Sequence, residues 1–305
     1  MEGQRMPTVL VGVDGSDAAL RAVCWAAAEA KRRQLPLRLV HAFAWIAEPD
    51  FPGTRAAGES YRDMLLEQAR DHLRSAATAA TGAHPGITVQ QQLIVGHPAE
   101  VLAAEARRAT VLVLGSRGLS RIDDLLVGST AAAMVVHAAC PVVVVRGAEV
   151  DTAAARTRPV ALGVDDSTTS EAAIGFAFEA AASRGVPLLA VHGYAEPMGG
   201  LTMDWLLDWD VIADIELEQL AAHLAGWIEK YPEVAVEQIP ARDRAAHKLL
   251  ALSETSQLVV VGSRGRGRLT GLLLGSVGNT LMHKAACPVA VVRPDTAGSG
   301  AADRP

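Results

Sequence analysis

Aromatic side chains are scarce in this 305-residue chain: four Phe, five Trp and three Tyr make up 4% of it, although half of its residues are hydrophobic. The cores must therefore be filled by Ala, Val and Leu, the palette of helices packed on a buried sheet. Cysteine is scarcer still, with Cys24, Cys140 and Cys287 far apart. An odd number of scattered thiols excludes a disulfide framework and lacks the close pairs of a structural zinc site. Long apolar runs are missing, and stretches such as Val142 to Val145 fall far short of a membrane span. Positive charge is not in excess: 28 Lys and Arg against 34 Asp and Glu leave a net charge of -6. No overall field draws such a chain to nucleic acid or anionic lipid, whereas a local basic loop can still meet phosphate. A charged content of 20% with a mean hydropathy of +0.20 excludes a disordered chain. The opening MEGQRMPTVLVGVDGS has no apolar targeting stretch before its first strand-like run. The expectation is a globular protein of the reducing cytoplasm, with neither membrane nor nucleic acid as partner.

Repetition is what the chain does have. The segment VLVLGSRGLSRIDDLLVGSTAAAMVVHAACPVVVVR from Val111 aligns without a gap with LVVVGSRGRGRLTGLLLGSVGNTLMHKAACPVAVVR from Leu258, at an offset of 147. Upstream, VLVGVDGSDAALRAVCWAAAEA from Val9 matches VALGVDDSTTSEAAIGFAFEAA from Val160 at an offset of 151, and His41 falls on His192. A length that suits two domains thus resolves into two copies of one domain, the second trimmed by four residues after its second strand. Within each copy, β-branched runs alternate with Ala-rich helical stretches, the pattern of a parallel sheet with crossover helices. In the first copy strands are expected near 8–14, 36–43, 87–94, 110–115 and 141–146. Right-handed crossovers make each copy a doubly wound α/β layer. Ser16 and Ser167 stand where a side-chain oxygen caps the first helix. The expected domains are 1–146 and 159–294, with a linker at 147–158 and a loose tail at 295–305. The last strands, PVVVVR and PVAVVR, are apolar along nearly their whole length and need cover at a sheet edge. Packing of the two halves through them as an internal pseudo-dimer is expected.

Each copy also carries G-x-x-G, nine residues, then G-S: Gly115, Gly118, Gly128 and Ser129, and again Gly262, Gly265, Gly275 and Ser276. Gly115 and Gly262 end a buried strand, so the loop starts at the carboxyl edge of the sheet, where open α/β folds bind ligands. Gly128-Ser129 and Gly275-Ser276 then open a helix whose free N–H groups and dipole attract phosphate. Strand, glycine loop and helix N-terminus together describe a nucleotide phosphate cradle. Rival loops fail: no Gly-Lys pair exists for a Walker A motif, and neither copy completes G-x-G-x-x-G. G-x-S-x-G and H-E-x-x-H are likewise missing.

With GVDGS after the first strand, VHAF and VHGY after the second, the doubled glycine loop, and CPVVVV or CPVAVV at the end, the chain resembles a tandem universal stress protein over nearly its whole length. The resemblance implies a Rossmann-like five-stranded parallel α/β fold in each half and, because both copies keep the loop, ATP binding. By position, Asp14 and Asp165 would meet the adenosine, and Ala42 and Gly193 would offer backbone to adenine. Gly115, Gly118, Gly128, Ser129 and Thr130, and in the second copy Gly262, Gly265, Gly275, Ser276 and Val277, would hold ribose and phosphates, with Arg117 and Arg264 as loop cations.

The loops differ in charge. Asp123 and Asp124 partly offset Arg117 and Arg121 in the first, whereas Arg264, Arg266 and Arg268 stand without nearby acids in the second. Two readings stand for the acids, a solvated face or a magnesium ion brought to the first cradle. Pro98 reads as an ordinary helix-opening residue. His41 and His192 lie at the carboxyl edge without metal-ligand spacing around them, which favours structural hydrogen bonding, and Cys140 and Cys287 read as inert core thiols. Trp205 and Trp209 suggest one helix face beside the second site, as a lid, partner surface or packing element. No base, nucleophile or catalytic lysine converges on the phosphates. The expected function is a nucleotide-dependent stress regulator that binds ATP and presents a surface to a protein partner. An ATP-using enzyme and a nucleotide-free scaffold are the alternatives.

Overall fold

The computed structural model of the chain describes residues 7–44, 55–117, 127–146, 153–165, 170–194, 209–242, 245–263 and 274–294, and at 55–60, 153–154, 194, 209–210 and 242 the backbone alone. Two compact units divide at residue 146.

In the first unit the order is β1 (Val9–Gly12), α1 (Asp17–Arg33), β2 (Leu37–Phe43), α2 (Arg55–Ala83), β3 (Val89–Val95), α3 (Pro98–Ala106), β4 (Val111–Gly115), α4 (Ser129–His137) and β5 (Val142–Val145). The strands lie in the order β3-β2-β1-β4-β5, every neighbour parallel. The second unit opens with a short helix, α5 (Ala153–Arg156), inside the segment expected as a linker. It continues as β6 (Val160–Val164), α6 (Ser170–Arg184), β7 (Leu188–Tyr194), α7 (Trp209–Lys230), β8 (Val236–Arg242), α8 (Ala245–Ser253), β9 (Leu258–Gly262), α9 (Ser276–Lys284) and β10 (Val289–Val292). Its strand order, β8-β7-β6-β9-β10, repeats the first, again all parallel. Strands begin at matched residues of the two copies: Val9 and Val160, Leu37 and Leu188, Val89 and Val236, Val111 and Leu258, Val142 and Val289. The expected tail at 295–305 lies outside the described residues.

The central strands are apolar throughout because helices cover both faces of a crossover-connected sheet. Val9, Val111, Val113, Val143 and Val144 are fully buried, as are Val160, Leu162, Val259, Val260 and Val289. Cys140 and Cys287 sit in these cores, and burial pushes the pKa of each thiol up to about 12, so both stay protonated and inert. Ser16 caps α1 as expected, accepting from Ala19 N at 3.1 Å. Ser167 lies outside the described residues. At the start of α6 it is Ser170 that donates its hydroxyl to Asp165 Oδ1 at 2.7 Å.

In each unit the chain steps outward from the first strand to the third and then returns to the other side of the first. The reversal lies between β1 and β4, and between β6 and β9. Crossover helices leave opposite faces there, so a crevice opens at the carboxyl ends of those two strands.

Candidate nucleotide site

In the first unit that crevice is a cavity of about 420 Å³, within the range of small-molecule sites. Gly12, Val13 and Asp14 reach it from the end of β1, Ala42 from β2, Gly115 and Arg117 from β4 and beyond, and Gly128, Ser129 and Thr130 from the start of α4. The ends of these elements thus bring Asp14, Ala42, Gly115, Arg117, Gly128, Ser129 and Thr130, all expected at the site, around one space. Gly118, Arg264 and Gly265 lie outside the described residues, as do Asp123, Asp124, Arg121, Arg266, Arg268 and Trp205. Trp209 is the first residue of α7, described in its backbone only.

Local chemistry sets each wall. Asp14 Oδ1 accepts from both the backbone N–H of Ser16, at 3.0 Å, and its hydroxyl, at 2.7 Å. The carboxylate is thereby oriented from one oxygen. Gly115 cannot be replaced by a larger residue without movement, since a Cβ there would stand 2.7 Å from the backbone of Ala18. That close approach seats the start of α1 against the end of β4. Ser116, 4% exposed, holds the loop at both ends: its N–H donates to Val145 O at 3.1 Å, and its carbonyl accepts from Gly128 N at 2.9 Å. The second unit repeats both bonds, Ser263 N to Val292 O at 2.8 Å and Gly275 N to Ser263 O at 3.1 Å. Gly128 and Gly275 are the N-cap residues of α4 and α9, and neither supplies a side-chain cap. The first-turn N–H groups of these helices are therefore donors for whatever the crevice holds.

In the second unit Asp165 follows β6, Gly193 stands in β7, Gly262 ends β9, and Ser276 and Val277 open α9. These are the strand and helix ends that surround the cavity in the first unit. Two departures bear on chemistry: Val277 replaces the hydroxyl of Thr130 with a methyl, and Gly193, whose Cβ would meet the Ala245 Cβ at 2.8 Å, stands where Ala42 does.

Pro98 and Leu102 of α3 also line the cavity. Pro98 carries more than the helix-opening role expected of it, and Leu102 gives no sign of the site in its local sequence. Their approach follows from the crossover of α3 back over β1, which no local pattern displays. His41 sits beside Ala42 at the same edge, and burial, then the charge of His72, hold its pKa below the ordinary value against the opposing pull of Asp14.

The model of the Universal stress protein family matches the chain twice, over residues 6–146 and 156–293. Universal stress protein Rv2623 of Mycobacterium tuberculosis is 36% identical over 291 residues, covering 93% of this chain and 96% of that protein. A universal stress protein of Mycolicibacterium smegmatis is 38% identical over 297 residues, 94% and 97% of the two chains. In fold, the chain resembles the crystal structure of a universal stress protein from Archaeoglobus fulgidus at a TM-score of 0.68 and 19% identity, over 95% of this chain and all of that one. The doubled strand order, the repeated glycine loop and these matches along nearly the full length lead to one conclusion: the chain belongs to the universal stress protein family and carries its domain twice.

Proposed function

We propose that the chain is a nucleotide-dependent regulator of the stress response that binds ATP at the carboxyl edge of its sheets. The observation that carries this reading is the uncapped N-terminus of α4 opening into a cavity whose other walls are Asp14, Arg117 and a glycine turn. The donor set suits a nucleoside polyphosphate. Helix N–H groups, the hydroxyls of Ser129 and Thr130 and the Arg117 guanidinium are donors for phosphate oxygens. Asp14, already held by Ser16 through one oxygen, keeps the other to accept from ribose hydroxyls. Val40 and Ala42 of β2 form the apolar end for a base.

The same inventory favours binding over catalysis. Phosphoryl transfer needs a group that positions the attacking nucleophile in line with the leaving phosphate. Among the described residues, the charged ones on the cavity wall are Asp14 and Arg117, the first held by Ser16 and the second a cation. A protein of this design uses the nucleotide as a signal: binding sets the surface around the cradle, and a partner reads that surface. The second unit offers the same carboxyl edge with one hydroxyl fewer.

Ser129→Asp and Ser276→Asp test this. An added carboxylate at a helix N-terminus stabilises the helix by roughly 0.3 to 1 kcal/mol, so the fold is kept, yet it stands where the phosphates are to be held. The unsubstituted chain should gain thermal stability with ATP. The double variant should melt no lower than the parent in buffer and lose most of the ATP-induced gain. An unchanged ATP response in the variant would remove the phosphates from the helix N-termini.

A further inference from the structure

Arg146 stands directly after β5, the strand beside the one that ends at Gly115, and we infer that it is the polyphosphate-selecting residue of the site, a second guanidinium beside Arg117 that engages the terminal phosphates of a nucleoside triphosphate. The inference rests on the nucleotide reading and names what makes that site prefer a triphosphate.

The sheet order supplies the geometry. The candidate residues come from the carboxyl ends of four adjacent strands in the spatial order β2, β1, β4, β5: Ala42, Asp14, Gly115 and then Arg146. Adjacent strands lie about 4.8 Å apart, so the row spans roughly 14 Å. That length fits an extended nucleoside triphosphate laid across the strand ends with its base over β2, and a monophosphate stops short of β5. Gly115 and Val145 are register partners in the β4–β5 ladder, and Ser116 N donates to Val145 O at 3.1 Å. The backbone thereby brings the Ser116–Arg117 turn alongside Arg146.

The electrostatics agree. Burial is the larger reason, and the positive charge of Arg117 the second, that the Arg146 guanidinium is held below its ordinary pKa. Arginine stays charged near neutrality, so the fold keeps Arg146 within electrostatic reach of Arg117, which lines the cavity beside a helix N-terminus. An anion between them turns that repulsion into attraction. The backbone part recurs in the second unit: Arg293 follows β10, and Ser263 N donates to Val292 O at 2.8 Å, while Arg264 matches Arg117 in sequence alone.

The test is isothermal titration of the full chain with ATP and with AMP, for the parent, R146Q, R146K and the double variant R146Q/R293Q. In the double variant the ATP dissociation constant is expected to rise about tenfold or more, the loss of one charge-assisted contact per site, while that for AMP stays within about twofold. The retained AMP affinity also reports a folded site. R146K, which keeps the charge without the planar fork, falls between the parent and R146Q for ATP. ATP affinity unchanged in the double variant, or AMP affinity falling in step with it, overturns the inference while leaving the nucleotide site standing. A parent chain that binds neither nucleotide overturns the underlying reading and this one with it.

Discussion

The two units agree at their strand ends and differ in how their first two crossover helices meet. In the first unit the matching side chains are small: Cys24 and Ala27 on α1 and Ala80 on α2, both alanines fully buried. In the second, Trp227 of α7 stands where Ala80 does, Gly175 of α6 replaces Cys24, and Phe178 replaces Ala27. Trp227 stacks with Phe178 and Tyr231 at centroid distances of 6.2 Å each. Its indole N–H donates to Glu171 Oε1 at 2.9 Å, and Lys230 lies 4.8 Å from the ring centroid. In a chain so poor in aromatics, three of them are gathered at one helix pair of one unit. Duplicated chains can drift wherever a large residue on one helix is matched by a small one on its neighbour. At the strand ends, where backbone amides and glycines make the site, they have drifted far less.

Exchanging the matched pair puts this contrast to its severest test. A Cβ on Gly175 would stand 2.6 Å from Cη2 of Trp227, so Gly175→Cys overpacks the contact at a cost of about 1 to 3 kcal/mol. Trp227→Ala removes the indole and its bond to Glu171, costing about 3 kcal/mol. The double variant recreates the small-small pair of the first unit and should be more stable than the two costs added together, with a coupling of about 1 to 2 kcal/mol in urea unfolding followed by circular dichroism. Strict additivity would mean that size matching is not what separates the two helix pairs.

Much of the fold is legible in the sequence. Strands announce themselves as repeated Val-rich runs, and the observed bounds trim or extend them by only one or two residues, at Val9–Gly12 for the expected 8–14 and Val89–Val95 for 87–94. Gly115 of the glycine loop is legible because a close backbone approach, here to Ala18, demands glycine. Contacts set by helix docking stay hidden, since they join residues with no shared local pattern: Pro98 and Leu102 on the cavity wall, His41 against His72, and Gly175 under Trp227. Ser116 and Ser263 are hidden differently. Their part in the site is played by backbone atoms, and a side-chain motif says nothing about which carbonyl closes a loop.

A smaller difference lies at the end of the first crossover helix of each unit. Gln34 caps α1 in the left-handed region at φ 54° and ψ 38°, and Gly185 takes the matching place after α6 at φ 63°. Glycine bears that conformation without the steric cost a Cβ adds. Gln34→Gly should stabilise the first unit by about 0.5 to 1 kcal/mol, and Gly185→Gln should destabilise the second by a similar amount. Because nothing lies within 4 Å of a Cβ built on Gly185, the second change isolates backbone strain. Denaturation midpoints that move in the same direction for both variants would show that the two caps are not equivalent.

The weakest expected effect concerns the paired histidines. His192, fully buried, places Nε2 2.7 Å from Oε2 of Glu216 on α7. Its counterpart His41 instead faces His72 of α2, the ring centroids 5.7 Å apart, with Asp14 beside it on the β1 side. Burial first and the charge of His72 second lower the His41 pKa below 6.5, while Asp14 and a hydrogen bond to the Val13 backbone oppose them. Below 6.5 and above its folded pKa, the unfolded chain therefore binds more protons at this residue than the folded one. Stability from His41 is complete above about 6.5 and is lost as the pH falls from there through the lower folded value. Proton NMR should show the His41 ring titrating below 6.5. His72→Gln, which installs the residue found at the matching place in α7, should move that midpoint upward without restoring it, because burial, the larger cause, remains. The first unit should then lose less stability than the parent does between about pH 7.5 and 5.5, a window that brackets the ordinary histidine pKa. A His41 midpoint indifferent to His72→Gln would leave burial alone as its cause, and the two units would then differ in the partner each histidine meets but not in how the first responds to acid.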